Sequence, residues 1–103
     1  MEVGVMCGRY TLTLDDRLLR ELFGISPEAA GDFEYSPNYN ICPGSQVPVI
    51  YSENGAGASM RLMRWGLIPK WAKAPSIGYK MINARAETVH QKPAYKVPFA
   101  RQR

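Results

Sequence analysis

Few side chains of this 103-residue sequence have the type and the surroundings that nucleophilic chemistry needs. Cys7 is the strongest candidate, because it precedes Gly8 and Arg9 and a cationic neighbour favours the thiolate, which is the nucleophilic form of cysteine. An inert thiol at the start of a strand is the simpler interpretation of the same residue. Cys42 lies beside Pro43 in an apolar turn and is predicted to be a small buried hydrophobic residue.

Metal and disulfide chemistry have little support in the composition. His90 is the only imidazole, and it lies in a polar segment, so a solvent-exposed surface histidine is predicted. One histidine and two cysteines are too few for a typical zinc site or for a disulfide scaffold, so we expect no metal and no cofactor. We expect a reducing, cytoplasmic and nucleoid-associated setting, or a nuclear one in a eukaryote. No apolar run approaches the ~18 residues of a membrane span, and residues 1–6 do not resemble a secretory signal.

Aromatic and polar residues cluster in the second half of the sequence. Trp65 and Trp71 lie on either side of a short loop that contains Lys70. Aromatic rings between cations can stack on bases while the cations hold the backbone of a nucleic acid, although buried core tryptophans are the usual alternative. Residues 83–87, Asn-Ala-Arg-Ala-Glu, follow an apolar pair and suit a strand end that presents side chains to a cleft.

Charge is divided unevenly along the chain. Residues 1–60 contain three basic and eight acidic side chains, whereas residues 61–103 contain ten basic side chains and Glu87 as the single acid. The two parts therefore carry net charges of −5 and +9. A surface of one sign attracts a polyanion, and nucleic acid is the leading candidate because phosphate neutralisation supplies much of the affinity of such complexes. The alternative is a basic face that pairs with the acidic half or with residues outside this sequence.

Three strands are predicted to position these residues. They lie at residues 9–12, 47–51 and 59–65, where aromatic and β-branched residues concentrate or where basic and apolar residues alternate. Pro48 restricts the second strand to an edge position or a strand start. A hairpin turn at residues 53–57 is predicted between the second and third strands.

One well-defined helix is predicted between Thr13 as its N-cap and Gly24 as its C-cap. Its apolar residues recur at helical spacing and are expected to pack in the core. They are Leu14, Leu18, Leu19, Leu22 and Phe23. The tail at residues 87–103 is predicted to be helical in pieces that are broken at Pro93 and Pro98.

These elements predict a β-rich, mixed α+β fold with long loops, of which residues 26–46 are the longest, and with one or two short helices. The length fits a single small domain. Residues 1–6 are interpreted as an N-terminal extension and residues 7–103 as the N-terminal part of one domain, because three or four strands make a thin core for so many loops. Such a chain is expected to bury its apolar face through self-association, against a partner chain or by domain swapping.

Four segments, taken in order and spacing, resemble the SOS response-associated peptidase family, whose members covalently trap abasic sites in single-stranded DNA. The segments are Cys7–Tyr10 (CGRY), Tyr39–Gly44 (YNICPG), Arg64–Trp71 (RWGLIPKW) and Ile82–Thr88 (INARAET). Each segment alone is weak evidence, but four in the same order are specific. The resemblance extends from the first segment to the end of the sequence and covers the first part of a longer family domain.

The resemblance implies a chemistry for each segment. In that family the cysteine is the first residue of the mature chain, so the amine of Cys7 would form a Schiff base with the aldehyde of an abasic site and its thiol would close a thiazolidine. Asn83 would position the cysteine, and Arg85 would contact the phosphate beside the lesion. The residues with an implied DNA-gripping or stacking role are Arg9, Asn40, Pro43, Trp65 and Gly66.

Two features of the sequence depart from the family pattern. Residues 1–5 precede Met6, so removal of the first methionine would not free the amine of Cys7, whereas translation from Met6 or another removal of the extension would. The catalytic glutamate and histidine of the family fall after the last residue of this sequence, and neither Glu87 nor His90 matches them.

Three functions follow from these considerations. The first is single-stranded DNA binding with covalent crosslinking to abasic sites in the DNA-damage response. The alternative is a non-catalytic fragment or a basic module that binds single-stranded DNA without reacting. A thiol peptidase that acts on other proteins ranks last, because no histidine of this sequence matches Cys7 as a catalytic partner.

Overall fold

The computed structural model describes residues 7–102, so the predicted extension at residues 1–6 lies outside the described part. The chain divides into two compact units. We call residues 8–65 the strand unit, and we call Cys7 together with residues 66–102 the loop unit. Each unit contains candidate site residues.

The strand unit contains two antiparallel two-stranded sheets. β1 (Tyr10–Leu12) pairs with β2 (Asn38–Ile41), and β3 (Gln46–Tyr51) pairs with β4 (Ser59–Arg64). The three predicted strands are confirmed within one or two residues at each end. The prediction of an unbroken loop at residues 26–46 is wrong, because β2 lies within it between two prolines that obscure its four residues.

The hairpin formed by β3 and β4 has the turn that the sequence predicts. Its register runs without a bulge from the pair Gln46–Arg64 to the pair Tyr51–Ser59. Asn54 and Gly55 adopt positive φ angles in the connection, as residues of tight hairpin turns do. Pro48 is tolerated inside β3 because each strand of a two-stranded sheet is an edge.

Helix α1 (Asp16–Phe23) ends at Gly24, which adopts the left-handed conformation that the sequence predicts for the C-cap. The predicted N-cap, Thr13, is wrong. Asp15 caps the helix instead, because its carboxylate accepts a hydrogen bond from the backbone N–H of Leu18 at 2.8 Å and its charge complements the helix N-terminus.

The core of the strand unit is small. Its main cluster comes from α1, the segment that follows and β4, and consists of Leu19, Ile25, Ala30 and Met60. Ile41 of β2 and Val47 of β3 are also buried. The expectation that the whole apolar set of α1 packs in the core is wrong, because Leu22 is 67% exposed and Phe23 is 50% exposed. Of the five apolar residues predicted for that set, Leu19 alone is fully buried.

The loop unit contains a 3-10 helix at Pro75–Lys80 and helix α2 at Pro93–Arg101. Pro93 begins α2, where a missing N–H costs nothing. The predicted break at Pro98 is wrong: Pro98 lies inside α2, where it removes one backbone hydrogen bond from a nine-residue helix. The pieces predicted on either side of Pro98 are therefore one continuous helix, whereas the predicted break at Pro93 coincides with the start of that helix.

A close approach between two backbones holds the start of the loop unit against its 3-10 helix. Gly66 has a φ of +129°, and a Cβ atom built on it would collide with the carbonyl oxygen of Gly78 and lie 2.9 Å from its carbonyl carbon. The N–H of Leu67 donates to the carbonyl of Met81 at 2.9 Å beside this contact. Glycine is therefore required at residue 66.

Small antiparallel sheets with a few helices confirm the predicted α+β class. Within residues 7–102, each helix is too short or too polar to cross a membrane.

Candidate functional site

Cys7 and Asn83 meet in the loop unit, although 76 positions separate them in the sequence. The side-chain amide nitrogen of Asn83 donates a hydrogen bond to the main-chain carbonyl oxygen of Cys7 at 2.8 Å. Cys7 is exposed and its thiol is free of any disulfide, while Asn83 is half-buried. The contact therefore fixes an accessible cysteine from a partly enclosed amide.

Asn83 binds the main-chain oxygen of Cys7 and not one of the atoms of that residue that could react. The bond uses the carbonyl oxygen of Cys7, so neither its nitrogen nor its sulfur is consumed by it. An amide also has an acceptor, Oδ1, on the same planar group as its donor nitrogen. Among the described residues, no donor to the Oδ1 of Asn83 is found, so this oxygen can accept from a group that approaches Cys7.

Asn83 is itself held from helix α2. The phenol of Tyr95 donates to the main-chain carbonyl oxygen of Asn83 at 2.9 Å. Tyr95 is half-buried, and its ring borders a small apolar cavity with Leu67, Val89 and Phe99. Tyr95 is not identifiable from the sequence, because one tyrosine in a helical segment resembles any packing residue and nothing in its spacing indicates Asn83.

Arg85 follows Asn83 by two residues and is exposed. Its backbone carbonyl accepts from the N–H groups of Thr88 and Val89, at 3.2 and 2.9 Å, which begins the turn that follows. Its guanidinium makes no ion pair or hydrogen bond with any residue in the described range 7–102. A cation anchored by its main chain and unpaired at its tip can bind an anion such as a phosphate.

Arg9 joins two other candidate residues in the strand unit. Its guanidinium donates from Nη1 to Oδ1 of Asn40 at 3.2 Å and to Sγ of Cys42 at 2.8 Å. The thiol of Cys42 also lies 3.5 Å from the carbonyl oxygen of Asn40, to which it can donate. The prediction that Cys42 is a buried apolar residue is wrong, because it is only half-buried and its sulfur accepts from a cation.

Pro43 and Trp65 are brought together by an extension of the β3–β4 ladder. The N–H of Gly44 donates to the carbonyl of Trp65 at 2.8 Å, and the N–H of Trp65 donates to the carbonyl of Ser45 at 2.9 Å. Trp65 is thereby fixed against the turn that Pro43 begins. Its ring meets the ring of Tyr10 edge-on, with centroids 5.0 Å apart and planes at 76°.

Main-chain pairing in the strand unit thus joins the second sequence segment to the parts of the first and third segments that lie in this unit. Tyr10 of the first segment pairs with Ile41 of the second across β1 and β2. Burial, and secondarily the neighbouring Tyr35, raise the pKa of Tyr10 above its ordinary value of 10.0. Tyr10 therefore remains a neutral phenol beside Trp65 at physiological pH and adds no negative charge to this surface.

Two further predictions concern single residues. Trp71, for which a buried core position was the usual alternative, is 61% exposed, so its ring is accessible on the surface of the loop unit. His90 is exposed, as predicted. Across residues 7–102, no group of three histidine, cysteine, aspartate or glutamate side chains is arranged to hold a metal ion.

Residues 6–103 match the family described as SOS response associated peptidase (SRAP). The chain belongs to the SRAP family, and the resemblance identified from the sequence is confirmed.

Curated relatives of this chain are all named abasic site processing proteins. The chain is 43% identical over 98 residues to abasic site processing protein YoqW of Bacillus subtilis, a match that covers 95% of this chain and 43% of YoqW. It is 44% identical over 100 residues to YoaM of the same organism, covering 95% of this chain and 42% of YoaM. It is 33% identical over 116 residues to mouse abasic site processing protein HMCES, covering 95% of this chain and 33% of HMCES. The chain thus spans less than half the length of each of these relatives.

Proposed function

We propose that this chain processes abasic sites in DNA by binding the single strand and linking covalently to the exposed sugar aldehyde through Cys7. Family membership and the names of the relatives support the substrate class. The observation that carries the residue assignment is the 2.8 Å hydrogen bond from the amide of Asn83 to the carbonyl of Cys7. It supports Cys7 over Cys42, and it engages neither the nitrogen nor the sulfur of that residue.

The proposed reaction needs an amine and a thiol on the same residue. The free α-amine attacks the aldehyde carbon of the ring-opened abasic sugar, and loss of one water gives a Schiff base. An α-amine has a pKa of about 7.7–8.0, so an appreciable fraction is neutral and nucleophilic near pH 7. The sulfur of Cys7 then adds to the imine carbon, its proton passes to the nitrogen, and a five-membered thiazolidine results. One water is released overall, and no oxidant or reductant takes part.

Asn83 is proposed to orient Cys7 for both steps. Because its amide nitrogen already holds the carbonyl of Cys7, its oxygen is available to accept from the amine and direct the nitrogen lone pair toward the aldehyde. This is a positioning effect and requires no proton transfer to Asn83. We assign no catalytic part to Glu87 or His90, since neither matches the acid or the histidine of the family.

The DNA is proposed to be held by two groups of residues. In the loop unit, Arg85 contacts the phosphate beside the lesion, and the excess of basic over acidic side chains from residue 66 onward provides the wider electrostatic attraction. In the strand unit, the cation of Arg9 contacts the DNA backbone, and the aromatic ring of Trp65 stacks on a base. The remaining proposed contacts are Asn40, Pro43 and Gly66.

The proposal requires that the reacting protein begin at Cys7. A peptide bond to residue 6 turns the α-amine into an amide nitrogen, which does not form a Schiff base. We therefore propose that the active form is translated from Met6 with loss of the initiator methionine, or that residues 1–6 are removed after synthesis. We also propose that residues 7–103 form the N-terminal part of one SRAP domain.

The test combines the chain expressed from Met6 with a single-stranded oligonucleotide that holds one abasic site, followed by a denaturing gel. Intact mass must first show that Cys7 is the first residue. We expect a slow-migrating adduct that survives denaturation and has the combined mass of protein and DNA less one water. A version with residues 1–6 retained should give no such adduct.

Two variants at residue 7 separate the steps. Cys7→Ser keeps the amine but lacks the sulfur, so we expect a Schiff base that borohydride traps and that is otherwise lost on denaturation. Cys7→Ala should behave in the same way. Both variants keep the main-chain carbonyl that Asn83 holds, so the fold of the site is preserved in these controls. A stable adduct from Cys7→Ala without borohydride would refute the thiazolidine mechanism.

Reversible binding of single-stranded DNA is the second candidate function, and one observation favours it. The side chains of Arg85 and Trp71 are exposed on the same loop unit, as nonspecific single-strand binding requires, and neither needs a free amine. If the chain binds intact and abasic strands equally well and forms no adduct when it begins at Cys7, this second function replaces the first.

A further inference from the structure

The segment that carries Asn83 has little structure of its own. Within the described chain, no hydrogen bond between two main-chain groups involves residues 82–84. The nearest anchors are the carbonyl of Met81, which accepts from Leu67, and the carbonyl of Arg85, which accepts from Thr88 and Val89. The backbone of Asn83 is therefore not fixed by a sheet or a helix, although its side chain must reach Cys7 across 76 positions of sequence.

One side chain replaces the missing main-chain support. The phenol of Tyr95 donates to the carbonyl of Asn83 at 2.9 Å in a partly buried position. Tyr95 lies in the first turn of α2, whose backbone is tied back to Lys92 by the N–H groups of Tyr95 and Lys96, at 3.0 and 2.9 Å. Its ring is half-buried and borders the same apolar cavity, so the hydroxyl reaches Asn83 from a helical residue.

We propose that Tyr95 is a positioning residue that sets the reactivity of Cys7 by acting through Asn83. Two hydrogen bonds in series connect them: the Tyr95 hydroxyl to the Asn83 carbonyl, and the Asn83 amide to the Cys7 carbonyl. This inference rests on the proposed function for its kinetic consequence, but the contact itself exists without DNA. The hydroxyl of Tyr95 bonds to Asn83 and not to Cys7, so we expect its effect to fall on rate and not on DNA affinity.

The kinetic test uses Tyr95→Phe, which removes the hydroxyl and keeps the ring in its apolar surroundings. Single-turnover adduct formation is measured over a range of abasic-DNA concentrations, with the chain beginning at Cys7. Because a neutral hydrogen bond of this kind contributes on the order of one tenfold step at most, we expect a maximal rate about 3- to 10-fold lower. The half-saturating DNA concentration should stay unchanged.

The matched control is Tyr51→Phe in the strand unit. Tyr51 is also half-buried, and its ring lies 4.5 Å beneath the guanidinium carbon of Arg61, a contact that phenylalanine retains. We expect wild-type rates for this variant. In the background of Asn83→Ala, where no amide reaches Cys7, Tyr95→Phe should cause no further loss, as a residue that acts through Asn83 requires.

A measurement without DNA separates this inference from the proposed function. The side-chain amide protons of Asn83 can be followed by nuclear magnetic resonance on the full chain, and the bond to Cys7 slows their exchange with solvent. We expect Tyr95→Phe to accelerate that exchange at least threefold and Tyr51→Phe to leave it unchanged. If the wild type forms no adduct but this exchange responds, the proposed function fails and the positioning contact stands.

The inference is overturned by any of three results: an unchanged maximal rate and exchange in Tyr95→Phe, an equal further loss in the Asn83→Ala background, or a change in the half-saturating DNA concentration that accounts for the whole effect. The last result would indicate a general structural role.

Discussion

Replacement of Gly66 by alanine is the sharpest test of how the loop unit is built. Gly66 lies where its backbone passes the backbone of Gly78, and its φ of +129° falls where side chains are strained. A Cβ atom at residue 66 would overlap the carbonyl oxygen of Gly78, which is main chain and cannot rotate away. The two segments must therefore separate to admit a methyl group.

The expected cost has two parts. A non-glycine residue in such a backbone conformation costs about 1–3 kcal/mol, and forcing extra volume into a packed contact costs a further ~1–3 kcal/mol. Gly66→Ala should thus lower the free energy of unfolding by about 2–6 kcal/mol, which is a large fraction of the ~5–15 kcal/mol of a typical domain.

Two other glycines of the same chain separate these parts. Gly57 has a φ of +94°, but no atom lies within 4 Å of the position that an alanine methyl group would take, so Gly57→Ala carries the backbone strain alone. Gly8 has neither a positive φ nor a close neighbour, and Gly8→Ala should stay within about 0.5 kcal/mol of the wild type. Denaturant titrations followed by circular dichroism give all three values.

The relative loss of unfolding free energy in the three variants shows whether the close approach of Gly66 to Gly78 limits stability. If Gly66→Ala is no more costly than Gly57→Ala, the close approach to Gly78 does not limit stability. In that case the role of Gly66 would have to be sought in DNA contact alone. If the order holds, any loss of adduct formation in Gly66→Ala must first be corrected for the fraction of unfolded protein.

Three further outcomes are expected. Asp15→Ala should lower the free energy of unfolding by about 0.5–2 kcal/mol in a denaturant titration because it removes the N-cap of α1, whereas Asp32→Ala, at an exposed aspartate outside the helix, should change it little. Because the fold raises the pKa of Tyr10, the stability that its neutral phenol contributes is complete below pH 10 and is lost as the pH rises through the folded pKa. Tyr10→Phe should remove this loss from a measurement of unfolding free energy against alkaline pH. An unchanged pH dependence in Tyr10→Phe would contradict the raised pKa. Arg85→Gln should weaken single-stranded DNA binding. Loss of one phosphate contact should make the slope of log affinity against log salt concentration shallower by about 0.7. Equal slopes for Arg85→Gln and the α1 control Arg17→Gln would exclude that contact.

Local sequence patterns predicted the regular elements well where one residue type determines them. Gly24 ends α1 because only glycine takes its left-handed conformation without strain, and the turn at residues 53–57 follows from the glycines on either side of Ala56. The N-cap was misjudged because Thr13 and Asp15 are both suitable caps, and the choice depends on which side chain reaches the N–H of Leu18. β2 was missed because a four-residue strand between prolines has no periodicity to detect.

Residues of the candidate site were predictable from the sequence, but the contacts between them were not. The resemblance of four segments brought Cys7 and Asn83 to attention, but their contact across 76 positions depends on long-range packing that no local pattern contains. The pairing of Arg9 with Asn40 and Cys42 depends in the same way on the β1–β2 register. Tyr95 acts through a hydroxyl that phenylalanine lacks, and the need for that hydroxyl arises only once Asn83 is found in a segment without main-chain support.

The hydrogen bond from Asn83 does not depend on the side chain of residue 7, because every α-amino acid has the main-chain carbonyl that accepts it. In a chain that begins at residue 7, chemical ligation can therefore replace Cys7 with residues outside the standard twenty amino acids. A selenocysteine or a 2,3-diaminopropionate placed there would be oriented by the same amide and would offer the aldehyde a different second nucleophile. The chain would then serve as a scaffold for comparing ring-closing chemistries on one lesion, with the geometry held constant and only the attacking atom exchanged.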